Sequence, residues 1–122
     1  MKLVVDEPES AALAAHLRPL AQQLATSRLA VVEVARAVHI ANASIEAQAR
    51  AREVLDGLVL VDVGGALLQA AAALASERLR TLDAIHLATI ELVDPDEVLV
   101  YDVRLRNAAR DAGYATISPG AE

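Results

Sequence analysis

Three acidic side chains stand where the local pattern of the chain would hold a carboxylate in place: Glu33, Asp83 and Asp102. Asp83 comes two residues after Thr81, a residue type that caps helices. It therefore falls in the first turn of a helix whose buried stripe is Leu82, Ile85 and Ala88. The positive end of the helix dipole favours a carboxylate there. Asp102 stands where the apolar run 97–101 ends and a helical pattern begins, which in an open parallel sheet is where ligands bind. Glu33 lies inside a helical segment between Val32 and Val34, where polar neighbours are scarce. Local structure would also account for each: a first-turn acid, a helix cap, and a solvated glutamate near Arg36. Brought together, they would act as hard oxygen ligands. Carboxylates ~5 Å apart repel by roughly 3 kcal/mol per pair at an effective dielectric near 20, so a cluster needs a cation or a shared proton. With no cysteine and no histidine cluster, such acids suit Mg2+ or Mn2+.

Other chemistries find less support. His86 is three residues after Asp83 and shares its helix face. A carboxylate-x-x-histidine pair belongs to helical di-iron sites, which need a second such pair. Leu13 and Arg36 stand three residues before His16 and His39, so there is none. His86 is read as a structural residue or one beside the site. Asp62, near the end of the apolar run 58–63, reads as a strand-end or helix-cap aspartate. No Ser/His/Asp or cysteine arrangement supports nucleophilic catalysis.

The elements that must position these acids alternate in type. Pro8, after Asp6 and Glu7, reads as a first helical turn, with a helix through Leu17 that Pro19 kinks or ends. A short extended piece at 24–26 precedes a helix over 28–42 capped by Ser27, and a solvated helix over 44–55 follows. The β-branched run 58–63 after Gly57 is expected to be a buried parallel strand. Gly64-Gly65 turns it into an alanine-rich helix over 66–75, and a charged loop at 77–80 leads to the helix capped by Thr81. Asp94-Pro95-Asp96 breaks the chain before a second strand at 97–101 and a helix over 103–112, which Gly113 ends. An edge strand at 115–117 closes the chain. This order indicates an α/β sandwich with a parallel sheet in a single domain, 1–122.

Composition narrows the setting. The 122 residues are 55% hydrophobic, enough for one core, and no apolar run reaches membrane-spanning length. The N-terminus turns acidic too early for a secretory signal, so a cytoplasmic protein is expected. The net charge of −6 repels phosphate, and with only Tyr101 and Tyr114 as aromatics there is no platform for stacking bases. Any nucleic-acid binding must be local.

The segments T-S-R-L-A-V-V-E-V-A-R-A around Glu33, L-D-A-I-H-L-A around Asp83 and V-L-V-Y-D-V-R-L-R-N-A-A around Asp102 occur in that order. They resemble the second, third and fourth acidic motifs of the PIN-domain nucleases, particularly the VapC-type toxins of bacterial toxin–antitoxin pairs. The ending I-S-P-G also fits, and Val100 stands where a threonine is common. The resemblance implies a three-layer fold with a central parallel sheet flanked by helices, and convergence of Glu33, Asp83 and Asp102 on Mg2+ or Mn2+ at the carboxyl edge of that sheet. It implies hydrolysis of RNA, with Arg78, Arg80, Arg104 and Arg106 available to substrate phosphates. It also implies a cognate antitoxin docked on the helical hairpin 28–55, a homodimer and a toxin–antitoxin hetero-oligomer. The family opens with a strand ending in an aspartate, whereas this chain begins at Met1-Lys2-Leu3-Val4-Val5, already past it, and Asp6 belongs to the helix start. The expectation is a domain without its first, central strand, through a shortened start or a true loss, and a sheet with a gap, a rearrangement or a borrowed strand. A second reading is accordingly a PIN-like domain that binds an antitoxin or another protein without cutting RNA. A third is a small α/β interaction module with incidental acids.

Overall fold

Short β-branched and apolar runs alternate with alanine-rich helical stretches, and the computed structural model follows that alternation. It describes residues 24–41, 44–74 and 79–120. Among them the order is β1 (Ala25–Ser27), α1 (Ala30–Ile40), α2 (Ile45–Asp56), β2 (Val59–Val61), α3 (Gly65–Ala72), α4 (Thr81–Val93), β3 (Val98–Leu99), α5 (Val103–Asp111) and β4 (Thr116–Ile117). The expected helix after Pro8 lies outside the described residues. The chain divides into two compact units, one of residues 1–62 with 119–121, the other of 63–118 with 122.

In the first unit β1 and β2 pair in parallel, with Ala25 opposite Val59 and Ser27 opposite Val61. The α1–α2 hairpin connects them. Val34 and Val38 of α1 meet Ala47, Ala51 and Val54 of α2 in a small core, with Val38 2% exposed. Spacings of three and four residues put these side chains on facing stripes. Ser44, read as the start of this helix, caps α2, its Oγ accepting from the Ala47 N–H at 3.2 Å. Ser27 does not cap α1. It is the last residue of β1, and its Oγ accepts from the Leu29 N–H at 3.1 Å, so it closes a turn and the helix begins at Ala30 without a side-chain cap. A serine hydroxyl serves either turn or cap, and here strand pairing fixes its backbone first.

In the second unit Leu67 and Ala71 of α3 pack against Ala84, Ile85 and Ala88 of α4, with Val63 and Leu74 at the border. Small side chains let the two helices approach closely. Thr81 is the first residue of α4 and not its cap, because the extended backbone that precedes the helix belongs to Arg80. Helix α4 ends at Asp94 in the left-handed region, φ 50°, and Pro95 cannot continue it. Strands β3 and β4 pair in parallel through the α5 crossover, Val98 opposite Thr116 and Leu99 opposite Ile117. Gly113, φ 96°, ends α5: its N–H reaches the Arg110 carbonyl, and the Tyr114 N–H reaches that of Ala109. This paired closure needs the positive φ that glycine adopts without strain.

The parallel α/β architecture expected from the sequence is therefore present. Among the described residues its strands form two two-stranded sheets, not one continuous sheet, because no described segment supplies a ladder between the pairs. No helix among them is long and apolar enough to cross a membrane.

The Tyr114 hydroxyl donates to Asp94 Oδ1 at 3.1 Å and ties the C-terminal ends of α4 and α5 together. Desolvation, the bond to Asp94 and the negative charges of Asp94 and Glu91 hold this phenol above its ordinary value of 10.0. A raised folded-state value means that the bond stabilises the fold below the unfolded phenol's pKa, and that its contribution disappears as pH rises through the folded one. Tyr114→Phe is expected to melt below the wild type at neutral pH. In a pH series of thermal melts the gap should close in the alkaline range and then reverse, as phenolate meets carboxylate.

Candidate active site

Two of the three candidate acids belong to the second unit, and helix starts position both. Asp102 stands three residues past the end of β3 and caps α5 from an extended backbone, its Oδ1 accepting from the Leu105 N–H at 3.0 Å. Asp83 sits in the first turn of α4, half-buried, and its Oδ2 reaches back to the Arg80 N–H at 3.3 Å. Arginine has no acceptor to return that bond, so Asp83 alone closes the start of α4. Each carboxylate thus stands at the positive end of a helix dipole. No other hydrogen bond reaches either one among the described residues, and each keeps an oxygen free of its cap.

Helices α4 and α5 pack against each other, and the Tyr114–Asp94 bond joins their C-terminal ends. Asp83 and Asp102 therefore stand at the starts of two helices that pack against each other. At the carboxyl ends of β3 and β4, the buried Ser118 hydroxyl donates to the Val100 carbonyl and fixes the strand immediately before Tyr101 and Asp102. The sequence reading passed over Ser118, whose partner lies 18 residues away. His86 is half-buried on α4, one turn after Asp83.

Glu33 lies in the other unit, exposed in the first turn of α1. Also in that unit, at the carboxyl ends of β1 and β2, Arg28 forms an ion pair with Asp62 through its Nε. Asp62, read from the sequence as a strand-end residue, is engaged there. Within neither unit do three or more His, Asp or Glu side chains of described residues gather into a metal-holding group. The donor chemistry nonetheless suits a hard divalent ion: carboxylate oxygens, each partly uncommitted, in a chain without cysteine. Mg2+ characteristically takes one or two carboxylates and completes its shell with water and phosphate oxygens.

The arginines beside these acids differ in state. Arg80 and Arg104 are exposed, and Arg78 lies outside the described residues. Arg106 is half-buried, and its Nε is fully buried without a hydrogen-bond partner.

The chain matches the PIN-domain family over residues 1–111. It belongs to the PIN-domain family. Its relatives place it among the VapC-type members. It is 41% identical over 121 residues to Ribonuclease VapC46 of Mycobacterium tuberculosis, covering 98% of this chain and 91% of that one. Identity to Ribonuclease VapC47 is 35% and to Ribonuclease VapC35 38%, each over 125 residues with the same coverage and from the same species. No solved structure matches the chain. The PIN match spans both compact units, so Glu33, Asp83 and Asp102 all lie inside the family's extent.

Proposed function

We propose that this VapC-type PIN domain is a metal-dependent endoribonuclease, the toxin of a toxin–antitoxin pair. The observation that carries the reading is the near-complete alignment, at 41% identity, with a protein named as a ribonuclease. The two aspartates with uncommitted oxygens at helix starts support it. Asp83, Asp102 and Glu33 are the residues that would hold Mg2+ or Mn2+. When bound, such an ion supplies charge that polarises the scissile phosphate and acidifies the attacking water. In the hydrolysis the water oxygen bonds to phosphorus and the bond to the 3′ oxygen breaks. The attacking water's proton passes to a carboxylate oxygen, and the departing 3′ oxygen takes a proton from solvent water, to which the carboxylate's proton is later returned. The exposed guanidinium groups of Arg80 and Arg104 hold neighbouring phosphates, which a chain of net charge −6 can do only locally.

The α1–α2 hairpin is the proposed seat of the antitoxin. Val31, Val32, Ile40 and Ile45 are exposed on it, and a groove of about 350 Å³ runs between its helices past Val34, Val38 and Ala51. Apolar surface of this kind is characteristic of docking sites. A homodimer is the proposed assembly of the free protein. The test is cleavage of structured RNA by the purified protein with Mg2+ or Mn2+, repeated in EDTA. Cleavage that disappears with EDTA is expected. Intact RNA at every divalent-ion concentration would defeat the reading.

A further inference from the structure

The ladder between β3 and β4 stops at a residue that cannot continue it. The Val98 N–H donates to the Ala115 carbonyl at 2.8 Å, and the Val100 N–H to the Ile117 carbonyl at 3.0 Å. Parallel bonds are evenly spaced and alternate between strands, so the next would run from the peptide nitrogen after Ser118 to the Val100 carbonyl. That nitrogen belongs to Pro119 and carries no hydrogen. The Ser118 hydroxyl supplies the bond instead, donating to the Val100 carbonyl from a residue that is 0% exposed. Val100 is itself buried, and a buried carbonyl that loses its donor is left unsatisfied. Only Tyr101 separates Val100 from Asp102. On its other side Asp102 is anchored to α5: its Oδ1 accepts from the Leu105 N–H, and its carbonyl accepts from the Arg106 N–H at 2.9 Å. The bond from Ser118 is thus the last anchor on the strand side of the junction. It fixes the peptide plane between Val100 and Tyr101, and with it the direction in which the chain enters the Asp102 cap.

We propose that Ser118 is a positioning residue for Asp102: its hydroxyl replaces the backbone donor that Pro119 lacks and holds the β3–α5 junction, so that the Asp102 oxygen outside the cap is placed to take a divalent ion. This rests on the role given to Asp102 in the ribonuclease reading above. Mg2+ demands near-ideal octahedral geometry, so a ligand that swings with its backbone binds it poorly. Groups that orient a metal ligand typically contribute 10–100-fold in metal affinity.

The test reads ion binding by the full chain without RNA, from the loss of the free Mn2+ EPR signal, beside the Mg2+ dependence of RNA cleavage. Ser118→Ala is expected to weaken Mn2+ binding about tenfold and to raise the Mg2+ concentration for half-maximal cleavage by a similar factor. It should also melt lower, because a buried carbonyl loses its donor. Loss of a purely structural serine would lower the melt too, but would leave the ion affinity of the folded protein where it was. The rescue comes from the backbone. Ser118→Ala combined with Pro119→Ala restores an N–H where the ladder needs one, and should recover most of the affinity. In an Asp102→Asn background Ser118→Ala should change Mn2+ binding little further, since both act through one ligand. Ser118→Cys, close in size and a weaker donor, should fall between serine and alanine, and it carries the measurement if Ser118→Ala does not fold. Wild-type ion affinity in Ser118→Ala or Ser118→Cys would overturn the proposal. So would a loss that the restored N–H does not recover, or a wild-type protein that binds no Mn2+. Mg2+-dependent RNA cleavage with Ser118-independent ion affinity would sink this proposal and spare the ribonuclease reading. Ser118-dependent Mn2+ binding without RNA cleavage would do the reverse.

Discussion

Asp83→Asn and Asp102→Asn are each expected to lower Mg2+-dependent RNA cleavage by at least ~100-fold while the protein stays folded. Loss of a group that only supports a metal ligand typically costs 10–100-fold, so loss of a direct carboxylate ligand should cost no less. Asparagine is the informative replacement because both aspartates also close helices. The amide keeps an oxygen to accept from the Arg80 or Leu105 N–H, and asparagine caps about as well as aspartate. It removes only the charge a cation needs. Asp83→Ala or Asp102→Ala would mix two effects, adding a cap loss of about 1 kcal/mol to the catalytic one. Thermal melts separate them: the asparagine variants should melt near the wild type and the alanine variants below it. An asparagine variant that cleaved at the wild-type rate would remove that residue from the reaction.

What the sequence disclosed follows the range of each interaction. Asp102 and Gly113 were legible because each acts within a few residues: a cap that accepts from the third residue on, and a turn that needs positive φ. The apolar runs at 58–63 and 97–101 gave their strands, though the paired portions are shorter, Val59–Val61 and Val98–Leu99, because a strand lasts only as long as its partner. Ser27 and Thr81 look like caps in sequence. They fail because Ser27 is held in β1, two residues before the helix boundary, and Thr81 is already the first residue of α4, behind the extended backbone of Arg80. Contacts across long separations left no local trace. Asp62 meets Arg28 across 34 residues, and Ser118 meets the Val100 carbonyl across 18. The orphaned Nε of Arg106 is less visible still, since an unmade bond is a property of packing and not of residue type. The three acids themselves were found through motif words. Their spacing along the chain carries no information about whether they meet.

Glu33 is where that matters most, because it lies in the unit that holds neither Asp83 nor Asp102. Glu33→Gln is expected to lower cleavage by about 10- to 100-fold and to raise the Mg2+ concentration needed for half-maximal rate. The replacement is nearly isosteric, and glutamine is about as good a helix former as glutamate, so α1 should form as before. Removing a first-turn charge from an exposed position gives up a dipole contribution of about 0.3–1 kcal/mol. A large fall in rate with a small change in melting point would therefore locate Glu33 among the groups that hold the ion. The shape of the Mg2+ titration decides further. A lost ligand weakens the ion's hold, so excess Mg2+ should recover part of the rate. A residue that only steadied α1 would lower the rate at every Mg2+ concentration in step with the lost folded fraction. If Glu33→Gln and Glu33→Ala both cleaved like the wild type at limiting Mg2+, the site would reduce to Asp83 and Asp102. Two carboxylates would then suffice, with water and substrate phosphate completing the shell, as Mg2+ readily accepts.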